Sequence, residues 1–137
     1  MDMSSINWLA ILICVVVSMA SGSVWYHPKV FFPAWCKGIG KSEAEMKAAN
    51  PNPMIWVLTI LAAFVEAVSV ALMLRVMQAS GPGAGAAAGF MLWLGFVAPT
   101  NLVNMLFAGH GLKVWAIEAG NHLLNMLLFG AILGAWQ

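Results

Sequence analysis

The stretch VWAIEAGNHLLNMLLFGAILGAW, residues 114–136, is long and apolar enough to cross a membrane as a single α-helix. Four polar side chains interrupt it, namely Glu118, Asn121, His122 and Asn125. Their spacing of three and four positions places all four on one face of a helix. Polar groups are costly at hydrocarbon depth, so these side chains are expected to face a bundle interior or a water-filled cavity. The stretch therefore predicts both a membrane helix and the location of a site.

The rest of the chain has the same apolar character. Of 137 residues, 62% are hydrophobic and only 8% are charged, and the mean hydropathy is +0.88. A soluble domain would need more charge to cover its surface. The apolar runs are also too long for the strands of a β-barrel and do not alternate as such strands do. We predict an all-α, polytopic integral membrane protein: one domain, residues 1–137, forming a four-transmembrane-helix bundle with spans at about 6–26, 54–76, 85–107 and 113–136.

The basic residues predict how these spans are oriented. Asp2 precedes the first run without any Lys or Arg, so this run is expected to be a retained span and not a signal peptide. Arg75 lies at one end of the bundle with the N-terminal amine, whereas five lysines belong to the first and third connections. Basic residues favour the cytoplasmic side. Both termini are therefore expected outside, and the cytoplasmic connections are those that carry Lys29, Lys37, Lys41, Lys47 and Lys113.

The first connection, residues 27–53, is expected to lie at the membrane interface. Ser42 and Glu45 have the spacing of a capping box, which predicts a short helix that ends at Asn50 before Pro51. Aromatic residues precede this helix and lysines surround it, as is typical of an interfacial segment. A membrane anchor is the favoured interpretation, and a gate over a substrate site is the alternative. The aromatic residues are Phe31, Phe32 and Trp35.

Glycines repeat every four positions in the last two spans. Gly85 and Gly89 form one such pair, and Gly130 and Gly134 form the other. Small residues at this spacing let membrane helices approach closely. Because a short turn joins the two spans, we predict that their glycine faces pack against each other. Alternatively, one of the two glycine faces packs against a second copy of the chain in a homo-oligomer.

Each of the four spans carries a small or polar stripe, and the simplest arrangement points all four stripes into one shared pocket. The second span contributes Glu66 near mid-membrane, and the third contributes Asn101 and Asn104 after a kink expected at Pro99. Counting at about 1.5 Å per residue places most of these groups in the cytoplasmic half of the bundle. The candidate ligand- or proton-binding residues are Glu66, Asn101, Asn104, Glu118, Asn121, His122 and Asn125.

The residue types limit the chemistry of this pocket. Glu66, Glu118 and His122 are ligand types for a metal, but one histidine without a ligand motif is a weak metal signature. His122 is also the only deeply placed histidine, which argues against a haem held by two histidines of one chain. We therefore predict no metal and no other cofactor. The near-equal numbers of acidic and basic residues, with a formal charge of +1, predict no nucleic-acid partner.

Three functions are compatible with the stripe. The favoured hypothesis is binding or movement of a small polar solute or cation, linked to protons through Glu66 and His122. The first alternative is an enzyme that performs acid–base chemistry on a lipid-soluble substrate. The second is an accessory subunit whose polar groups only form hydrogen bonds between helices. The sequence does not decide whether the protein is an enzyme, and the one expected partner common to all three hypotheses is the lipid bilayer.

Several short motifs resemble a family of small bacterial membrane proteins that is classified as a domain of unknown function. They are Asn7–Trp8–Leu9–Ala10, Trp25–Tyr26 followed by Pro28, Leu94–Gly95–Phe96, Asn101 through Phe107, and the run 130–136. The resemblance covers nearly the whole chain. It implies a four-span protein of the bacterial inner membrane, and it implies no activity and no site residues.

Overall fold

The computed structural model describes residues 6–49 and 51–136, and helices make up most of that part of the chain. Four helical segments, Trp8–Trp25, Met54–Val76, Pro82–Phe107 and Gly111–Ala135, are long and apolar enough to span a membrane. No strand occurs in the described ranges. The predicted all-α membrane fold with four spanning helices is therefore confirmed. In chain order the helices are α1 (Trp8–Trp25), α2 (Phe32–Gly38), α3 (Glu43–Ala48), α4 (Met54–Val76), α5 (Pro82–Leu92), a π-helix (Trp93–Val97), α6 (Ala98–Phe107) and α7 (Gly111–Ala135).

Helix α7 lies at the centre of the bundle. It contacts α1, α4 and the segment α5–α6, and near its N-terminus it also contacts α2. In its apolar spanning stretch 44% of the residues are buried, whereas 17–22% are buried in the stretches of the other three spans. Phe129 is completely buried on its inner side. The segment with the polar stripe is thus the one that the other spans surround.

Helices α5 and α7 approach each other backbone to backbone. A Cβ atom on Gly85 would overlap the carbonyl oxygen of Gly130, and one on Gly89 would overlap that of Met126. The Gly81 N–H also donates a 2.8 Å hydrogen bond to the Gly134 carbonyl. The predicted contact between the two glycine faces is therefore confirmed within the chain. Association of two chains through either glycine face stays a prediction.

Helices α1 and α4 pack closely in one half of the bundle. There Ile11 and Cys14 of α1 are buried against a face of α4 that includes Ala67, Val70 and Leu74. Toward the other end, where α1 ends and α4 begins, the first turns of α4 are exposed. We call this the α2–α3 end, because the connection with α2 and α3 lies there. The spans enclose free space toward the α2–α3 end.

The third span contains a π-helix directly before Pro99. The Ala98 N–H bonds to the carbonyl of Trp93, five residues earlier, which is the π-helical pattern. Pro99 lacks an N–H and therefore breaks the α-helical hydrogen-bond pattern. Two indoles join this region to α7: the Trp93 indole N–H donates to the carbonyl of Ala119 at 2.9 Å, and the Trp115 indole N–H donates to that of Ala98 at 3.0 Å. The helix is thus irregular before Pro99, and the expected kink itself stays a prediction.

The first connection holds two short helices where the sequence predicted one. Helix α3 begins with the predicted capping box of Ser42 and Glu45 and ends at Ala48; its predicted end at Asn50 lies outside the described residues. Helix α2 was not predicted. It carries Pro33 in its first turn, where backbone N–H groups have no acceptor within the helix, so proline loses no hydrogen bond there. Gly38 at its end fits closely against Val114, so α2 packs on α7.

Candidate functional site

A cavity of about 430 Å³ lies between α1, α4 and α7 toward the α2–α3 end. It occupies the space left where α1 and α4 separate. Its size falls within the range of small-molecule sites, about 300–1,000 Å³. The lining residues are Ser18, Met19, Gly22, Ser23, Tyr26, Trp56, Thr59, Ala62, Ala63, Glu66, Asn121, His122 and Asn125.

Helix α4 contributes one acidic side chain to this cavity. Trp56, Thr59, Ala63 and Glu66 follow one another at spacings of three or four positions, so they share a helix face. The Thr59 hydroxyl is occupied, because it donates to the Ile55 carbonyl at 2.7 Å. In the described part of the chain, Glu66 makes no hydrogen bond to another residue. Its carboxyl group is therefore the free polar group on this wall.

Helix α7 contributes three of its four stripe residues. Asn125 is engaged through both its oxygen and its nitrogen, since its Oδ1 accepts from the Ser21 hydroxyl and its Nδ2 donates to the Ser18 hydroxyl. Asn121 is different: it is 9% exposed, and its Nδ2 is buried without a hydrogen-bond partner within the described ranges. The His122 side chain also makes no hydrogen bond to a described residue. Asn125 thus joins helices, whereas Asn121 and His122 are available to a ligand or to water.

Helix α1 forms the third wall. Gly22 leaves open space, because a Cβ atom added there would meet no atom within 4 Å. Ser23 donates to the Met19 carbonyl at 2.8 Å, so its hydroxyl proton is used within the helix. Tyr26 follows the last turn and lines the cavity at the α2–α3 end. This wall therefore consists mostly of small residues and carries no charged group.

The fourth stripe residue, Glu118, does not line the cavity. Its Oε1 accepts a 2.9 Å hydrogen bond from the indole N–H of Trp35, which lies on α2. The Trp35 ring in turn contacts the Tyr26 ring edge-on, with centroids 5.8 Å apart. Burial and, less strongly, the negative charge of Glu118 raise the pKa of Tyr26 to about 12. We call the α2–α3 end of the cavity its entrance, because Trp56 lines the cavity there and is exposed at the bundle surface. Glu118 acts on Tyr26 at this end through its charge.

The two asparagines predicted from the third span lie elsewhere. Asn104 is exposed on α6, and Asn101 is partly buried with its Oδ1 unpartnered in the described structure. Neither residue lines the cavity. Both belong to α6, which packs against α7 and contributes no residue to the lining. The structure brings Glu66, Asn121, His122 and Asn125 together, and it places Asn101, Asn104 and Glu118 outside that group.

The cavity is largely apolar, and a carboxylic acid, an imidazole and two amides are among its few polar groups. Its one carboxylic acid is Glu66, its one imidazole is His122, and no Lys or Arg lines it among the described residues. Nor does any group of three His, Cys, Asp or Glu side chains in the described ranges converge closely enough to hold a metal ion. The arrangement can exchange a proton, donate and accept hydrogen bonds, and neutralise a positive charge.

Sequence reasoning missed part of the lining. Trp56 and Tyr26 lie near the ends of the predicted spans, where aromatic residues typically form a belt at the membrane surface and indicate no site. Trp56 nevertheless precedes Thr59 by three positions and Glu66 by ten, so its place on the acidic face of α4 was visible in the sequence. Tyr26 follows the first span, and no periodic signal assigns it to a site.

The four apolar helices define a multi-pass membrane protein, and a cavity with a few polar groups lies among them. The family model named Protein of unknown function (DUF1761) matches residues 9–134, so the chain belongs to this family. No curated protein and no solved structure matches the chain.

Proposed function

We propose that this protein binds a small polar solute or cation in the cavity and moves it, coupled to protonation of Glu66 and His122. In this proposal it resides in a bacterial inner membrane, with both termini outside and the cavity toward the cytoplasm. One observation carries the proposal. Glu66, His122 and Asn121 line the same cavity, and none of the three side chains forms a hydrogen bond to another described residue. The Nδ2 of Asn121 is also buried.

The free-energy cost of leaving a buried polar group without a hydrogen-bond partner supports the presence of a ligand. A buried polar group without a partner costs about 1–3 kcal/mol. Asn125 of the same stripe shows how the chain avoids that cost, because two serines of α1 satisfy its amide. Asn121 receives no such partner, and its Nδ2 is buried. The side chains of Glu66 and His122 also lack a partner among the described residues but are only partly buried. A solute, a proton or water in the cavity would bond to these groups.

A lipid-soluble substrate is the second candidate, in which case Glu66 and His122 would act as acid and base. The position of Trp56 favours it, since this residue lines the cavity and is also 55% exposed on the bundle surface. A molecule in the bilayer would reach the cavity past this side chain. Organic extraction of the purified protein, followed by mass spectrometry, tests this candidate through a retained lipid-like compound that Trp56→Ala loses.

The first candidate is tested in proteoliposomes that contain a pH-sensitive dye and carry an imposed pH gradient. Sodium chloride, potassium chloride, choline chloride, glycine and glycerol are added outside one at a time. We expect at least one of them to accelerate collapse of the gradient with the wild type. Glu66→Gln should abolish that acceleration, because the amide cannot exchange a proton.

Glu43→Gln is the matched control, since Glu43 lies on α3 outside the cavity and pairs with Lys47. It should behave as the wild type. The proposal is wrong if Glu66→Gln retains the solute-dependent flux, or if the wild type responds to all five solutes no more than protein-free liposomes do.

A further inference from the structure

We propose that the solute is an organic cation and that Glu66 is its counter-ion. This inference rests on the proposed function and adds the chemical class of the molecule that occupies the cavity. It is argued from the charges around the cavity, its size, the aromatic residues at its entrance and the free donor of Asn121.

The charges around the cavity favour a positive ligand. Glu66 of α4 lines it, and Glu118 adds a second carboxylate nearby on α7, one helical turn before His122. Among the described residues, no Lys or Arg lines it that could neutralise these groups or bind an anion. A carboxylate at membrane depth needs a proton or a cation beside it. A bound cation and a proton are thus alternative partners of Glu66.

The size and walls of the cavity favour an organic cation over a metal ion. A hard metal cation requires several oxygen ligands around one point, about six to eight for calcium. Here one carboxyl group faces about 430 Å³ of space, and part of the wall is formed by Met19, Ala62 and Ala63. Such a wall suits the carbon atoms of a ligand.

The entrance is aromatic. Trp56 and Tyr26 line the cavity at the α2–α3 end, and Trp56 lies about 15 Å from Glu66 along the axis of α4. Aromatic rings attract quaternary ammonium groups through their electron-rich faces. In this arrangement the two rings meet the cation first, and Glu66 holds it farther inside.

The free donor on Asn121 indicates a second feature of the ligand. Its Nδ2 is buried, unpartnered in the described structure, and belongs to a residue that lines the cavity. A hydroxyl or carbonyl oxygen on the ligand would accept this hydrogen bond. The expected class is therefore a small ammonium compound that also carries an oxygen acceptor, and choline is the simplest probe.

The test compares choline with 3,3-dimethylbutan-1-ol, which has the same shape but a carbon atom in place of the charged nitrogen. Binding to the purified full chain is measured by calorimetry in lipid nanodiscs, together with alkyltrimethylammonium ions from methyl to octyl. We expect choline or a longer member to bind at least about tenfold more tightly than the neutral alcohol. Glu66→Gln should weaken binding of that cation by about tenfold or more, and Glu66→Asp should retain most of it.

Two further variants separate the contribution of the Asn121 hydrogen bond from general effects of substitution on the helices. Asn121→Ala should weaken binding of choline but not of tetramethylammonium, which has no oxygen. Ser69→Ala is the matched control on α4, because Ser69 is exposed and its hydroxyl donates to the Val65 carbonyl within the helix. Circular dichroism and gel filtration confirm that each variant is folded.

Three results would overturn the inference: equal binding of the neutral alcohol, full binding by a folded Glu66→Gln protein, or no binding of any ammonium ion in the series. If glycerol or glycine still drives Glu66-dependent proton flux in proteoliposomes, the proposed function stands and only the cationic solute is wrong. If no solute drives flux but choline binds as described, the cation site stands without transport.

Discussion

The Trp35 indole N–H donates a 2.9 Å hydrogen bond to the carboxylate of Glu118, and this bond joins α2 to α7 beside the cavity entrance. Trp35→Phe keeps an aromatic ring but removes the donor. We expect the free energy of unfolding to fall by about 1–3 kcal/mol. Hydrogen exchange should accelerate in α2 and stay unchanged in α4. Lys47→Ala is the control, because its exposed pair with Glu43 contributes at most about 0.5 kcal/mol.

The close approach of α5 and α7 predicts a strong effect at one glycine and none at its neighbour. Gly85→Ala would drive a methyl group into the backbone of Gly130, and we expect a loss of about 1–3 kcal/mol or failure to fold. Gly83→Ala lies on the same helix with no atom within 4 Å of the added carbon. It should be neutral or stabilise by about 0.5–1 kcal/mol. Unfolding in mixed detergent micelles measures both, and equal losses would contradict the observed packing.

The bonds of Asn125 to α1 predict energetic coupling between helices. Asn125→Ala and Ser21→Ala each remove the same hydrogen bond, so their effects on the free energy of unfolding should not add. We expect a coupling of about 0.6–1.7 kcal/mol from a double-mutant cycle in lipid nanodiscs. Additive effects would show that this contact contributes nothing.

Access to the cavity can be measured at Gly22. We expect Gly22→Cys, made with Cys14→Ala and Cys36→Ala, to fold because the position has open space. Its thiol should react with hydrophilic methanethiosulfonate reagents if the cavity is wet. The trimethylammonium reagent should react about tenfold faster than the anionic sulfonate reagent, relative to their rates with a free thiol. Glu66→Gln should reduce this preference. No reaction with either reagent would mean a dry cavity.

Tyr26 is the one tyrosine of the chain, so its ionisation is visible in the ultraviolet spectrum. We expect the folded protein to form little tyrosinate near pH 10, the ordinary pKa, because burial and Glu118 raise the pKa of Tyr26 to about 12. Glu118→Gln should lower this pKa in part, since burial is the larger cause. The folded state then holds the phenolic proton more tightly than the unfolded chain, so the contribution of Tyr26 to stability is lost as the pH rises from about 10 to about 12. Half-ionisation of the folded protein near pH 10 would contradict this environment.

Hydropathy and helical spacing were sufficient for the spans and for most of the α7 stripe. An uninterrupted helix keeps side chains at three- and four-residue spacing on one face, which is why Asn121, His122 and Asn125 enter the cavity together. Glu66 was predictable for a related reason, since its neighbours on α4 are small.

The remaining site residues depended on information that a linear pattern lacks. Spacing gives the face of a helix but not the helix it meets, so Asn101 and Asn104 could not be separated from the cavity residues. Helix α2 has seven residues, too few for a periodic signal. Without α2, the sequence could not indicate that Glu118 would be turned toward Trp35.

The backbone contact between α5 and α7 makes one part of the molecule more rigid than the rest. Two main chains in direct contact, joined by the bond from Gly81 to Gly134, cannot slide or part without losing that fit. They form the stiff frame of the protein, and His122 belongs to it. The exposed first turns of α4 have no such restraint. When a solute enters or leaves, these outer turns with Trp56 and Thr59 should therefore move, while the histidine stays in place.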